Sequence, residues 1–134
     1  MKLSIQPTFL AACALLLSGA ATAGFLPAGR YSIDVASDAG APGGKLTTCL
    51  TPEQAATLAS WARTMEQPLW KRCTVSEGKV ANAWSTVCEN DFVTSTTSGT
   101  VQVKGDSFEA QTETTMGTMT VKARMSGQRV GECR

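Results

Sequence analysis

Few residues in this chain of 134 have side chains suited to catalysis, and histidine is absent. Without histidine no Ser-His or Cys-His couple can form, and the usual proton carrier at neutral pH is missing. Ser76 and Lys79 have the S-x-x-K spacing of penicillin-recognising enzymes, which requires both side chains on successive turns of a helix. Here they lie at a predicted hairpin tip, and no S-D-N or K-T-G motif follows. We therefore interpret the motif as an exposed turn.

Methionine and glutamate provide the other candidates for chemistry. Met116 and Met119 are closely spaced thioethers, a ligand type that selects Cu(I). The alternative places Met119 and Met125 in the core and Met116 at a turn. Two glutamate pairs could serve in acid–base catalysis, Glu109 with Glu113 and Glu77 with Glu89. Glu109 and Glu113 are predicted on an outward strand face, where solvated charge is the ordinary explanation. We expect no catalytic residue, no cofactor and no metal.

Three tryptophans are the candidates for binding. Trp61, Trp70 and Trp84 could line an apolar pocket between a helix and a sheet. More often such tryptophans simply fill the core, which is the favoured interpretation.

The first 23 residues have the pattern of a secretory signal. Lys2 provides the charge, Phe9 to Leu17 form a short apolar run, and a small-x-small motif precedes Gly24. Cleavage is expected between Ala23 and Gly24, and the run is too short to span a bilayer. A lipoprotein box ending at Cys13 is the less favoured alternative.

Cleavage would leave one domain of residues 24–134, located in the periplasm, without a transmembrane anchor. Removal of Lys2 leaves eleven basic and eleven acidic residues. A chain without net charge is a poor partner for nucleic acid or an anionic membrane.

Four cysteines remain in residues 24–134, namely Cys49, Cys73, Cys88 and Cys133. An even number in an exported chain predicts two disulfides, with three possible pairings. Their wide spacing does not fit a zinc knuckle.

The elements begin with two predicted strands. Tyr31, Ile33 and Val35 alternate with polar residues, which indicates a half-buried strand. Asp38 to Gly44 should form a loop, and Lys45 to Leu50 a returning strand.

A single helix is predicted next. Thr51 and Gln54 form a capping box, and Pro52 suits the first helical position. The predicted apolar face comprises Leu58, Trp61, Ala62, Met65 and Leu69, and Pro68 should end the helix near Glu66 or Gln67. Because Cys49 and Cys73 flank this segment, we expect them to form one disulfide and Cys88 with Cys133 the other.

The rest of the chain is predicted to be β. Cys73–Glu77 and Val80–Glu89 flank a turn at Gly78-Lys79, and Asn90–Ser98 is predicted to be a connection. A II′ turn at Gly105-Asp106 would pair Val103 with Phe108 and Val101 with Ala110. A loop at Met116-Gly117 would pair Thr112 with Val121, Ala110 with Ala123, Phe108 with Met125 and Glu109 with Arg124. A last turn near Gly127 would lead to a short strand with Val130 and Cys133.

Several motifs resemble one known family. They are Cys49-Leu50-Thr51-Pro52-Glu53, Trp84 four residues before Cys88, Gly105-Asp106-Ser107-Phe108 and the terminal Gly127-Gln128-Arg129-Val130-Gly131-Glu132-Cys133. Together they are similar to the small proteobacterial envelope proteins grouped as domain-of-unknown-function family 3617. The family usually opens P-G-x-W, whereas this chain has Pro27-Ala28-Gly29-Arg30-Tyr31. The resemblance implies a periplasmic location and a shared fold, and it assigns no activity and no catalytic residues.

We therefore expect a mainly β fold, a curved antiparallel sheet or small barrel with one helix beside it. The favoured function is a non-catalytic binding module that recognises an envelope protein or a small apolar ligand. The alternative is a hydrolase-like enzyme that uses carboxylates or a Lys-Ser pair instead of histidine.

Overall fold

The computed structural model describes residues 24–40 and 43–134, so the predicted signal segment with Cys13 lies outside the described residues. The described chain forms seven strands and two short helices. They are β1 (Gly29–Ser37), β2 (Gly44–Leu50), α1 (Pro52–Ala55), α2 (Leu58–Arg63), β3 (Arg72–Glu77), β4 (Ala83–Glu89), β5 (Thr94–Lys104), β6 (Ser107–Met116) and β7 (Met119–Gly131).

All seven strands form one antiparallel sheet in the order β2-β1-β7-β6-β5-β4-β3. The prediction of a mainly β fold is confirmed. The sheet is open, with β2 and β3 as its edges, so it does not close into the small barrel that was one of the two predicted forms.

One face of the sheet, the inner face, is covered by the two helices and the segment before β1. Alternation along β1 gives the expected result: Tyr31 and Ile33 are buried and Val35 is half-buried. The core residues are Leu26, Tyr31, Ile33, Leu50, Ala55, Leu58, Trp61, Ala62, Trp84, Val101, Phe108 and Ala110. Burial of these apolar side chains is the main stabilising contribution of the fold.

Neither helix in the described part of the chain is long and apolar enough to cross a membrane.

The predicted β5–β6 hairpin is confirmed. Val103 pairs with Phe108 and Val101 with Ala110, around a loop of Gly105 and Asp106. Gly105 has a φ of 56°, the left-handed conformation that this loop position requires.

The predicted register of the β6–β7 hairpin is wrong by two residues. The loop is Gly117-Thr118, not Met116-Gly117, and Met116 pairs with Met119. Gly117 has a φ of 61°, so glycine occupies the first loop position, as in the preceding hairpin. A shift of two residues keeps every side chain on its face. The observed partners are Thr112 with Ala123, Ala110 with Met125, Phe108 with Gly127 and Gln111 with Arg124.

Three predicted connections also differ from the structure. Most of the Asn90–Ser98 segment belongs to β5, because its threonines and serines pair with β4 and β6. The β3–β4 connection is longer than Gly78-Lys79 and includes Asn82, which has a φ of 62°. No turn occurs at Gly127, since β7 continues to Gly131 and pairs with β1.

The predicted single helix is divided into α1 and α2. The capping box is confirmed, since the side chain of Thr51 accepts from Gln54 N and Gln54 Oε1 accepts from Thr51 N. The helix is interrupted because Thr57 is extended and caps α2 through its hydroxyl. The amides of Phe25 and Leu26 donate to the carbonyls of Ala56 and Ala55, which would otherwise bond along a continuous helix.

The far end of the predicted helix also differs. The helical residues end at Arg63, and Leu69 is 55 % exposed instead of buried. The other predicted apolar positions do face the sheet, with Met65 half-buried against the core.

The predicted disulfide pairing is wrong. The structure has Cys49–Cys133 and Cys73–Cys88, with Cα–Cα distances of 5.5 Å and 4.1 Å. Cys49 lies in β2 and Cys73 in β3, which are the opposite edges of the sheet, so the two cannot be joined. Cys73 and Cys88 are instead direct cross-strand neighbours in β3 and β4.

Candidate functional site

A cavity of about 290 Å³ lies between the sheet and the chain that follows α2. We call it the helix–sheet cavity. The helical side contributes Ala62, Met65, Glu66, Gln67 and Trp70, and the sheet contributes Trp84, Thr86, Cys88, Ser95, Thr97, Thr112, Thr114, Met116 and Met125. Its lining is therefore drawn from α2, the following loop and four neighbouring strands, β4 to β7.

Trp84 forms the boundary between the core and this cavity. Trp84 is only 2 % exposed, and its ring packs edge-on against the ring of Trp61, with the two centroids 5.2 Å apart. Gly99 on β5 lies opposite Trp84, and a Cβ there would be 2.6 Å from the ring atom Cη2. The missing side chain at Gly99 therefore lets the indole ring pack directly against the backbone of β5.

The three predicted tryptophans occupy two different environments. Trp70 and Trp84 line the cavity. Trp61 lies behind it in the core, where it contacts Phe25, Trp84 and Phe108. Trp61 and Trp84 are core residues, and Trp84 lines the cavity as well, so a binding role for the tryptophans stays a prediction.

The loop that contains Trp70 is tied to the sheet. Lys71 N donates to Glu89 O over 3.0 Å, and Trp70 N donates to Gln67 O over 3.2 Å. The Cys73–Cys88 disulfide fixes the next residues of the chain, and Cys88 itself lines the cavity. These contacts hold the Trp70 wall opposite the sheet.

Hydroxyl groups form much of the sheet wall, and the sequence-based prediction missed them. Ser95 and Thr86 are buried, and Thr97 Oγ1 lies 2.8 Å from Thr114 Oγ1. Ser95 and Thr97 fell in the segment predicted to be a connection. The sequence did contain a signal for them. Ser95, Thr97, Gly99 and Val101 are alternate residues, so in a single strand they share one face with the buried Val101.

Glu66 is the one residue with a titratable side chain in this lining, since Cys88 is disulfide-bonded. Arg63 Nη1 lies 3.6 Å from Glu66 Oε1, and the side chain of Arg63 is more than half exposed. The cavity thus has an apolar and hydroxyl-bearing lining with a single carboxylate at its helical side.

The other candidate sites do not assemble. Ser76 and Lys79 lie at the end of β3 and in the loop after it, both exposed and neither on a helix. Met119 is 56 % exposed, contrary to its predicted core position, whereas Met125 packs against the core and Met116 lines the cavity.

The predicted carboxylate pairs lie apart. Glu109 and Glu113 are both exposed on β6, four residues or about 13 Å apart along the strand. Glu77 and Glu89 lie at opposite ends of their strand pair, and Glu89 pairs with Arg72. Within residues 24–40 and 43–134, no three His, Cys, Asp or Glu side chains are grouped in a way that could hold a metal ion.

A larger groove of about 730 Å³ runs over the β5, β6 and β7 strands near Asp38. Among its charged side chains, Lys122 Nζ lies 3.8 Å from Glu113 Oε2, and Asp38 Oδ1 accepts from the backbone amide of Lys122. Such exposed pairs are solvated and contribute little. The helix–sheet cavity is more enclosed than this groove, and two tryptophans and three methionines line it. We therefore regard it as the candidate site.

The comparisons with known proteins give one match. The family described as protein of unknown function (DUF3617) matches residues 25–133, almost the whole described chain. No curated protein matches the sequence. No solved structure matches it either. With the four cysteines and the terminal G-x-R-x-G-x-C motif inside the matched range, the chain belongs to the DUF3617 family.

Proposed function

We propose that this protein is a non-catalytic binding module of the periplasm that holds a small apolar molecule in the helix–sheet cavity. The observation that carries the proposal is the cavity itself, which Trp70 and Trp84 line. The loop that contains Trp70 is held to the sheet by the Cys73–Cys88 disulfide and by a backbone hydrogen bond from Lys71 to Glu89. Ligand sites are typically concave, mostly apolar and largely preformed, with a few polar groups that orient the ligand.

The volume sets the size of the ligand. About 290 Å³ is near the lower end of the range of about 300–1,000 Å³ for small-molecule sites. A medium-length alkyl chain or one fused aromatic ring system fits this space. Met65, Met116 and Met125 add flexible, polarisable walls, which suits contact with apolar groups of varied shape.

The two disulfides support a location outside the cytoplasm, because such bonds persist in oxidising compartments. The predicted signal segment, residues 1–23, agrees with this location, and the family match begins at residue 25. Sequencing the N-terminus of the protein from a periplasmic extract tests the assignment. We expect Gly24 as the first residue, and a lipid on Cys13 would contradict it.

Fluorescence titration with the neutral probe N-phenyl-1-naphthylamine tests the binding function. We expect saturable binding at one site, accompanied by energy transfer from tryptophan. Trp70→Ala removes one wall of the cavity and should weaken probe binding by about tenfold, equivalent to about 1.4 kcal/mol. Circular dichroism of the variant checks that its fold is retained.

Phe92→Ala is the matched control. Phe92 lies in the loop between β4 and β5, is 94 % exposed and does not line the cavity. It should bind the probe as the wild type does. Equal losses in both variants, or binding that does not saturate, would show that the probe adheres to exposed apolar surface.

A further inference from the structure

The sheet wall of the helix–sheet cavity carries four neighbouring hydroxyl side chains, which we call the hydroxyl patch. They are Thr86 on β4, Ser95 and Thr97 on β5, and Thr114 on β6. Thr86 pairs with Thr97, and Thr97 pairs with Thr114, so three of the hydroxyls form one row across three strands. Adjacent strands are about 4.8 Å apart, which makes the row about 10 Å long. Ser95 lies two residues from Thr97, on the same face of β5.

Ser95 and Thr86 are buried, with 6 % and 8 % of their surface exposed. In the part of the chain that the structure describes, the hydrogen bond within the patch joins Thr97 to Thr114, and the side chains of the other two have no partner. Neither of their oxygens is one of the fully enclosed atoms without a partner, so both have surface that opens to the cavity. Buried hydroxyls are normally hydrogen-bonded, because burial without a partner costs free energy.

The patch provides donors and acceptors without charge. Thr97 Oγ1 lies 2.8 Å from Thr114 Oγ1, and whichever hydroxyl accepts this hydrogen bond keeps its own hydrogen to donate. Ser95 and Thr86 can each donate and accept. The cavity lining contains no lysine and no arginine, so a carboxylate on a ligand would be buried here without a cationic partner.

We propose that the ligand of the helix–sheet cavity is a neutral ring compound with a hydroxyl or carbonyl oxygen, and that this oxygen binds to the hydroxyl patch. This inference rests on the proposed binding function and specifies its ligand. The ring contacts Trp70, Met65 and Met116, which provide an indole face and two thioethers. A hydrocarbon of the same size would displace solvent from the hydroxyls without replacing its hydrogen bonds, which costs affinity.

Competition against bound N-phenyl-1-naphthylamine tests this inference with naphthalene and 2-naphthol, which share one ring system and differ by a hydroxyl group. A wholly apolar cavity would prefer naphthalene, because less polar surface is then taken from water. We expect the opposite order: 2-naphthol should displace the probe at about fivefold lower concentration, the size of one hydrogen bond. 2-Naphthoate should compete more weakly than 2-naphthol, because its charge is not compensated in the lining.

The double variant Thr97→Val with Thr114→Val removes two hydroxyls of the patch and nearly keeps the shape of both side chains. It should lose the preference for 2-naphthol over naphthalene. The control is Thr96→Val with Thr115→Val, since these two residues are also direct partners on β5 and β6 but lie on the opposite face. The control should keep the preference. Valine suits strands, and circular dichroism checks that both variants fold.

The outcomes separate the two proposals. If the probe fails to bind, the binding function is wrong and this inference is wrong with it. If the probe binds but naphthalene competes as well as 2-naphthol or better, the binding function stands and the inference about the ligand is overturned. A preference that persists in the Thr97/Thr114 variant, or that the control loses equally, also overturns it. Ser95→Ala removes a single hydroxyl and decides the question if the double variant does not fold: the preference should fall about twofold, and an unchanged preference would contradict the inference.

Discussion

At the scale of single residues, Gly127 determines how closely β7 approaches the core. It lies opposite Phe108 in the β6–β7 pair, and a Cβ at this position would overlap the phenyl ring. Phe108 is buried and packs edge-on against Trp61 with centroids 5.3 Å apart. The aromatic core that supports Trp84 therefore depends on a position without a side chain.

Gly127→Ala should lower the free energy of unfolding by about 1–3 kcal/mol, the usual cost of overpacking a core. Gly44→Ala is the control, because no atom lies within 4 Å of the Cβ it would add. Urea denaturation of both variants measures the difference. Equal stability of the two would show that Phe108 moves aside without cost.

Tyr31 couples stability to alkaline pH. Its hydroxyl donates to Pro27 O over 2.7 Å. Burial raises the pKa of Tyr31 above 10.0, and Asp106 raises it further while Arg129 lowers it. Because the pKa is raised in the folded state, this contribution to stability is complete below about pH 10 and is lost as pH rises through the folded-state pKa.

Tyr31→Phe should therefore be less stable than the wild type at pH 7, by about 0.5–1.5 kcal/mol for the lost hydrogen bond. Its free energy of unfolding should also fall less steeply above pH 10. Denaturation curves at several pH values check both expectations, and parallel pH profiles of the two proteins would contradict the assignment.

Residue types revealed part of the candidate site from the sequence. Trp61, Trp70 and Trp84 are candidates for a pocket because large aromatic side chains suit that role, with core filling as the more common alternative. Glu66 and Thr114 are not, because a lone carboxylate and a strand threonine look the same whether they line a cavity or face solvent. Only the packing of the loop after α2 against β4–β7 distinguishes these cases.

At the scale of elements, local turn chemistry decides which predictions succeed. Gly105-Asp106 indicated its own hairpin, and the register followed. At the next hairpin, loops at Met116-Gly117 and at Gly117-Thr118 both bury the same face of the strands. The two registers differ by two residues, so the alternation of buried and exposed side chains does not distinguish them. The interruption between α1 and α2 depends on hydrogen bonds from Phe25 and Leu26, which are distant in sequence and carry no local signal.

A double-mutant cycle tests the corrected register. Glu113 and Lys122 are direct partners with a nitrogen–oxygen distance of 3.8 Å, so Glu113→Gln and Lys122→Met should show a coupling energy of about 0.2–1 kcal/mol. Glu109→Gln and Arg124→Met, the pair expected from the other register, should show none. Coupling in the second pair and not in the first would restore the predicted register.

At the scale of the whole molecule, the disulfides secure the two ends of the open sheet. Cys49–Cys133 joins edge strand β2 to the residues that follow β7, which pairs with the other side of β1, over a sequence separation of 84. Cys73–Cys88 joins the β3–β4 pair at the other edge, over a separation of 15. Cys49 and Cys73 flank the helical segment in the sequence, which suggested that they form a disulfide. That prediction is wrong because closeness in sequence does not show that β2 and β3 are opposite edges of the sheet.

Loop length predicts which disulfide contributes more. In the chain-entropy treatment, closing the longer loop contributes about 4.5 kcal/mol and the shorter about 3 kcal/mol. Cys49→Ala with Cys133→Ala should therefore destabilise the protein more than Cys73→Ala with Cys88→Ala, as measured by urea denaturation. Peptide mapping of the wild type should recover Cys49 linked to Cys133, and the reverse order of stabilities would contradict the entropic account.

The central claim is that the helix–sheet cavity is a binding site, and the indole N–H groups of the three tryptophans report on it directly. A titration of the ¹⁵N-labelled protein with 1-octanol, followed by two-dimensional NMR, should shift the indole resonances of Trp84 and Trp70 most. The resonance of Trp61, which lies behind Trp84 in the core, should shift less. Three unchanged indole resonances at saturating octanol, or shifts confined to the groove around Glu113 and Lys122, would contradict the claim.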